Sequence, residues 1–376
     1  MTENVSAAAL DLGTMFLQGM RDSVDGKGIV STQVRDCYRE VPFVEEFEDQ
    51  LKQQQCQYIK EGDKIYVLGD QAYIQAGMAE ISSELKATGE ILKRPMKDGI
   101  LNPDSPKVSL SILRALMKAC VEKDVGPARE GEILYFSVPA NPTDSTINNL
   151  FHSKMAEKYL NGLGFDARPI GEGLAVVFGE NPKMHSPEGD IPFTGFGLSF
   201  GAGMVNFCLA ERGVPLDEFS VARSGDWIDN QVARMTGQPK TKVLRVKEKK
   251  LNFNTIDNLD PSDESYDVLL ALECYYEDLI NYVFSSFAKR FGSTKGSIEH
   301  PIDVVLAGGT ACPPGFDKKV KKILSRMNFP FEISEVRLAG GGDQKKMLQS
   351  VAKGCYIRAK QAAKKMTAAK DVLDQL

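Results

Sequence analysis

The chain is poor in the residues from which many catalytic centres are built. It has three histidines, His152, His185 and His300, and a single tryptophan in 376 residues. So few and so scattered, the histidines argue against a histidine-based zinc centre or a nucleophile–histidine triad. The seven cysteines (37, 56, 120, 208, 274, 312 and 355) are odd in number and contain no CxxC pair. That pattern provides no metal framework and fits a reducing compartment. An excess of positive charge is also missing: 46 Lys and Arg face 51 Asp and Glu, for a net charge of -5. General nucleic-acid binding, which needs a basic field, is therefore not expected. The local basic run Lys318, Lys319, Lys321 and Lys322 reads as one solvated helix face. No apolar run approaches the roughly 20 residues of a membrane-spanning helix. The opening Met1-Thr2-Glu3-Asn4 has neither signal-peptide nor basic amphipathic character. The expectation is a cytoplasmic protein without direct membrane contact.

What is present is an ordinary globular composition, with 42% hydrophobic and 26% charged residues. A chain of this length can support two substantial cores. Strand and helix patterns alternate, which implies α/β layers. Residues 7–20 read as two strands around a glycine turn, and Glu61-Gly62-Asp63 as a hairpin leading into Ile65-Tyr66-Val67-Leu68. A helix is expected from Val108 to Val121, with Leu110, Leu113, Leu116 and Met117 on one face. Ile133–Val138 reads as a buried strand ended by Pro139, Thr143–Leu160 as a capped helix, and Glu172–Phe178 as a short one. The second half repeats the order loosely. A glycine-hinged strand pair (196–210) is followed by Val214–Phe219, a loop at Ser224-Gly225-Asp226 and a long helix over about 265–290. Val304–Ala307 then runs into Gly308-Gly309-Thr310, and a final strand, glycine loop and helix cover 330–360.

The most informative pattern is said twice. Leu10-Asp11-Leu12-Gly13-Thr14 returns as Leu198-Ser199-Phe200-Gly201-Ala202-Gly203, each an apolar stretch interrupted by small residues and then resumed. Glycine inside a strand pattern marks a tight turn or a place where backbone approaches a ligand. Consecutive N–H groups in such turns make concave anion sites, and a pair of them can hold a phosphate chain. Asp11, beside the first turn, has the chemistry to hold Mg2+, which takes few carboxylates and keeps its hydration. The bland alternative is two ordinary hairpins. Asp226 alone reads as a helix cap, and Lys247-Glu248 alone as a solvated helix face. Gly308-Gly309-Thr310 is more suggestive, because a strand running into glycine is where an α/β sheet admits a ligand. Glu172 begins an apolar segment, where an acid must be paired, at an end or facing a cleft.

Taken in order, these stretches resemble the actin, seventy-kilodalton heat-shock and sugar-kinase ATPase superfamily, and within it the MreB- and MamK-like bacterial filament proteins. Leu10–Thr14 is similar to the first phosphate loop and Phe200-Gly201-Ala202-Gly203 to the second. Arg94-Pro95-Met96-Lys97-Asp98-Gly99 is similar to an MreB signature. Glu172–Gly179 resembles the helix whose leading Glu orients the attacking water. Gly225-Asp226 and Val246-Lys247-Glu248 are similar to nucleotide-side contacts, Leu306–Thr310 to the adenosine loop, and Val351–Gly354 to the closing helix. The resemblance implies an actin-like two-lobe fold of duplicated ribonuclease H-like domains with a nucleotide cleft between them. Lobe I would take 1–178 plus 335–376, with a smaller subdomain at about 30–80. Lobe II would take 179–334, with a smaller subdomain at about 222–290. ATP or ADP with Mg2+ is the implied cofactor. Asp11 would position the metal and Glu172 the water. Leu12, Gly13, Thr14, Gly201, Ala202, Gly203, Gly225, Asp226, Lys247, Glu248, Gly308, Gly309 and Thr310 would hold the nucleotide. The implied partner is a second copy of the chain, in a filament.

The second phosphate loop departs from that pattern. The family has Asp where this chain has Ser199, and a hydroxyl-bearing residue where it has Met204. Serine donates one hydrogen bond and supplies no charge to a metal. Weak hydrolysis is the expectation, with Ser199→Asp raising it. The alternatives are nucleotide binding without turnover, a non-polymerising nucleotide switch or chaperone-like module, and a small-metabolite kinase. A kinase needs a catalytic Asp to deprotonate a substrate hydroxyl, and no convincing one is seen.

Overall fold

Ala7-Ala8-Ala9-Leu10 is apolar on both alternating faces, a pattern suited to a strand covered on both sides. In the computed structural model it forms β1 (Ala7–Leu12), all six residues of which are buried. The structure describes residues 6–81, 91–180, 184–186, 189–191, 193–292, 298 and 301–373. The chain divides into two compact units. The first comprises Met1–Val138, Asn149–Pro169 and Cys355–Leu376, and the second Pro139–Asn148 and Ile170–Gly354.

After β1 come β2 (Phe16–Asp22), β3 (Ile29–Arg35), β4 (Tyr38–Pro42), α1 (Glu45–Gln53), β5 (Tyr58–Glu61), β6 (Lys64–Leu68) and α2 (Gly69–Ile81). They are followed by β7 (Met96–Lys97), β8 (Ile100–Leu101), α3 (Pro106–Glu122), β9 (Ile133–Val138), α4 (Leu150–Gly162) and β10 (Asp166–Gly171). The main sheet has the order β10-β9-β1-β2-β3. In it β1–β2–β3 is an antiparallel meander and β9 runs parallel to β1. The helical spacing of α3 turns Ile112, Leu113, Leu116, Met117 and Cys120 into one core with Leu10, Leu12, Leu134 and Phe136. A smaller sheet, β4-β6-β5, has its own cluster of Cys37, Leu51, Ile65, Val67 and Ala72. Asp98 and Gly99 join β7 to β8 at φ 50° and 76°. Two positive φ values define the tight hairpin that Asp-Gly favours.

The second unit contains α5 (Glu172–Gly179), β11 (Met184–Ser186), β12 (Gly189–Ile191), β13 (Gly195–Phe200), β14 (Val205–Glu211), β15 (Val214–Val221), α6 (Gly225–Thr236), α7 (Lys240–Lys249) and α8 (Tyr266–Phe291). The chain goes on through β16 (Ile302–Ala307), α9 (Phe316–Leu324), β17 (Ile333–Leu338), α10 (Gln344–Leu348) and α11 (Ser350–Leu373). Its sheet order is β15-β14-β13-β16-β17. Again the first strand lies between its antiparallel hairpin partner and a parallel strand. The same arrangement therefore occurs twice, as the duplicated ribonuclease H-like reading requires. The core here is aromatic. Phe287 of α8 meets Phe207 at 4.2 Å and Phe196 at 4.6 Å, both edge-on, the geometry favoured by ring quadrupoles.

Three expectations are corrected. The helix expected from Thr143 starts at Leu150. The Thr143 N–H instead donates to Ser220 O, and Pro142 bridges to the same residue, so this backbone serves a sheet edge. Ser224-Gly225-Asp226 is the start of α6, not a loop. The units also divide at other residues than 178/179 and 334/335. α5 packs on β13 and β14, where a Cβ on Gly173 would meet the Phe207 backbone, and β17 pairs with β16. Lys318, Lys321 and Lys322 are exposed as a solvated face requires, while Lys319 reaches Glu273 and Glu277. Among the described residues no helix is long and apolar enough to cross a membrane.

Two outcomes follow from this packing. A Cβ on Gly354 would fall on the Ala175 carbonyl, so α11 approaches α5 only through glycine. Gly354→Ala is expected to cost about 1–3 kcal/mol, read as a lower midpoint in chemical denaturation. His152 is buried, its Nδ1 accepts from the Leu101 N–H at 3.2 Å, and burial lowers its pKa to about 4. Between about pH 6.5 and 4 the unfolded chain binds a proton there that the folded chain refuses, so stability falls as pH falls. His152→Gln is expected to flatten that slope in unfolding measured at about pH 7 and about pH 5.

Candidate functional site

In the first unit β1 leads directly into the turn Gly13-Thr14-Met15 and returns as β2, with Leu12 opposite Leu17. A side chain on Gly13 would place its Cβ 2.5 Å from Phe16 O, so the turn closes only with glycine. Asp11 sits two residues before this turn and is 8% exposed. Ser137, on the parallel neighbour β9, donates from Oγ to Asp11 Oδ1 at 2.7 Å and accepts the Leu12 N–H at 2.9 Å. Burial pushes the Asp11 carboxyl up to about 7, and the bond from Ser137 opposes that rise. One hydroxyl thus fixes both the carboxylate and the backbone entering the turn.

In the second unit β13 and β14 are joined at Gly201–Met204, closed by a bond from Gly201 N–H to Met204 O at 3.0 Å. Two segments distant in sequence, 224–226 and 308–310, converge on this turn. The Thr310 hydroxyl donates to Gly201 O at 2.8 Å. At the start of α6, Gly225 N–H donates to Gly201 O at 3.2 Å and Asp226 N–H to Ala202 O at 2.8 Å, while the Ser224 hydroxyl also bonds Ala202 O. A Cβ on Gly225 would strike Thr310 Oγ1. Gly308 has φ 91°, and a Cβ there would lie 2.5 Å from Phe200 O, so β16 enters its turn against the β13 backbone. The first N–H groups of α6 are engaged by carbonyls; this helix start is a clamp for the turn.

Glu172 is the first residue of α5 and is 9% exposed. Its Oε2 accepts from Ser199 Oγ at 3.2 Å. Gly173 and Gly197 make this possible, because a Cβ on either would collide with backbone across the α5–sheet contact. Ser199 therefore serves Glu172. Met204 is buried, its sulfur 3.5 Å from the Ser220 oxygen.

Asp226 and Gly225 thus stand at the turn with Gly201, Ala202, Gly203, Gly308, Gly309 and Thr310. Lys247 is not a solvated residue: its ammonium lies 2.6 Å from Asp229 on α6, with side chains 10% and 1% exposed. Glu248 does face solvent. Sequence reasoning missed Ser137, Ser224 and Asp229. A serine inside the apolar strand Ile133–Val138 was the available signal for the first. The other two carry no local signal, since their partners lie on other elements. Ser137→Ala is expected to raise the Asp11 pKa above about 7, followed by carboxyl NMR, because the opposing bond is lost. It is also expected to cost about 1–3 kcal/mol of stability by stranding the Leu12 N–H.

No curated protein matches the chain. Among solved structures it is similar to the MamK double helical filament, at TM-score 0.60 and 18% identity over 95% of this chain and 99% of that one. It is also similar to MreB5 of Spiroplasma citri bound to AMPPNP, at TM-score 0.60 and 14% identity, covering 100% of both chains. The same protein bound to ADP gives 0.58 and 15%, over 97% and 99%. At such identities the likeness carries the fold, which is actin-like, as the ordered motifs imply. A family model described as Volactin matches residues 6–359, and the chain belongs to that family.

Proposed function

We propose that this chain binds ATP with Mg2+ between its two glycine turns, hydrolyses it slowly and assembles with copies of itself into cytoplasmic filaments. The observation that carries this reading is the recurrence of one device in two equivalent places. Each main sheet ends its first strand in a glycine turn, and each turn has a buried carboxylate beside it, Asp11 in one unit and Glu172 in the other. Support also comes from the neighbours, since MreB5 is bound to AMPPNP and to ADP, and MamK forms a double helical filament.

The residues fit such a ligand. Gly13, Gly201 and Gly308 let the turns close tightly, since a Cβ at each would collide with a neighbouring backbone carbonyl. Turns of this kind take phosphate through N–H groups. Among the described residues no group of three or more His, Cys, Asp or Glu is placed to hold a metal ion. Mg2+ takes few carboxylates and keeps most of its water, so Asp11 alone would be its carboxylate. Bound there, Mg2+ would neutralise phosphate charge. Thr310, Gly308 and Gly309 would border the adenosine, and Lys247, held by Asp229, would approach from α7. Glu172 would accept a proton from a water whose oxygen bonds to the γ-phosphorus. As it does so, the bond from that phosphorus to the β–γ bridging oxygen breaks, giving ADP and phosphate, and the proton passes on to solvent. Such catalysis rests on positioning and charge stabilisation.

The contact between Ser199 and Glu172 reverses one expectation. An Asp at 199 would set two carboxylates within hydrogen-bonding distance, and like charges so close hold one of them protonated. Ser199→Asp is therefore expected to lower phosphate release, not raise it. Glu172→Ala is expected to abolish turnover while ATP binding persists; unchanged turnover would remove Glu172 from the mechanism. Sedimentation with ATP, ADP and a non-hydrolysable analogue, run beside phosphate release, tests assembly. ATP-dependent pelleting is expected. Turnover without pelleting under any nucleotide would leave a non-polymerising switch.

A further inference from the structure

Asn206 is out of place in its strand. The rest of β14, Val205 and Phe207–Ala210, is apolar and buried up to Glu211, and Asn is depleted from strands. It lies directly opposite Ser199 on β13 and Ser220 on β15. Residues paired across neighbouring strands share a face, so the three polar side chains make one row. They are 3%, 1% and 0% exposed in the order Ser199, Asn206, Ser220. The row ends on Glu172 through the bond from Ser199 Oγ.

The orientation of the Asn206 amide is fixed. Its Oδ1 accepts from the Ala140 N–H at 3.0 Å, and the Ser220 hydroxyl donates to Ala140 O at 2.7 Å. Only the amide oxygen can take a backbone N–H, so Nδ2 is turned away from Ala140. Among the described residues Nδ2 has no acceptor, although it is buried. A buried donor left unmet is costly, and such a group asks for an acceptor that the protein does not supply.

We propose that Asn206 is a positioning residue for hydrolysis, its Nδ2 donating to the oxygen of the attacking water in the row that Ser199 and Glu172 complete. The proposal rests on the reading of this site as an ATP-hydrolysing one. A water held in this way accepts one bond from Nδ2, gives a proton to the Glu172 carboxylate and keeps a lone pair for the γ-phosphorus. The P–O bond that forms is balanced by cleavage of the bond to the bridging oxygen, with ADP as leaving group. A neutral donor suits this place, because an acid would compete with Glu172 for the same proton.

Asn206→Asp keeps the shape and the acceptor for the Ala140 N–H and removes Nδ2–H, but it adds a carboxylate, so Asn206→Thr, which removes the amide without adding charge, is measured beside it. Steady-state phosphate release is expected to show kcat reduced about tenfold or more. KM for ATP should stay within about twofold, since the lost contact belongs to the transition state and not to uniform binding. ATP affinity, followed through the single tryptophan Trp227 on α6, should be unchanged. Should Asn206→Asp fail to fold, Asn206→Thr carries the same test with a smaller polar side chain on the strand. A folded variant of either kind with unchanged kcat would overturn the proposal, as would a rise in KM with kcat intact. Wild-type protein that binds ATP and releases no phosphate would overturn the hydrolytic reading itself. Wild-type turnover beside an unaffected Asn206 variant would sink this inference alone.

Discussion

Two serine hydroxyls govern the chemistry available to this chain. Ser137 donates to Asp11 in the first unit and Ser199 donates to Glu172 in the second. Each carboxylate is buried beside a glycine turn. A buried acid can be satisfied by a cation or by a neutral donor, and the two solutions differ in consequence. An arginine or lysine would neutralise the charge and leave little for a ligand. A hydroxyl fixes one carboxylate oxygen in place without bringing a charge of its own. The rest of the architecture serves this arrangement: parallel β9 brings Ser137 to Asp11, and paired glycines let α5 lie close enough for Glu172 to meet Ser199.

The second turn shows how far such a site depends on tertiary pairing. Gly201 and Ala202 hold no structure alone; their carbonyls are occupied by Thr310, Ser224 and the first N–H groups of α6. Segments remote in sequence thus meet on two adjacent residues. The fold itself does not dictate chemistry. What marks the second turn is Ser199 bonded to Glu172, the burial of Met204, and an oriented amide at Asn206.

Much of this was legible in the sequence where the signal was local. The interruption of apolar strands by glycine located both turns, and the apolar spacing of residues 108–121 located α3. Other features depend on partners the sequence does not mark. Thr143–Asn149 has a helical look, yet its backbone bonds a strand edge at Ser220. Lys247 sits in a charged run that reads as solvated, yet Asp229 buries it. Ser137 and Asn206 are single polar residues in apolar strands. Such residues are visible as anomalies, but only strand register shows which carboxylate or backbone group each one serves. The unit boundary was misjudged for the same reason, because β17 declares its sheet only by pairing with β16.

The central claim is that one nucleotide occupies both turns, and a crystal structure with Mg2+ and a non-hydrolysable ATP analogue tests it most directly. The account predicts phosphate oxygens bonded to backbone N–H groups of Gly13–Thr14 and of Ala202–Gly203 at once, with the purine beside Gly308–Thr310. Nucleotide density touching only one turn, or lying elsewhere on the chain, would contradict it.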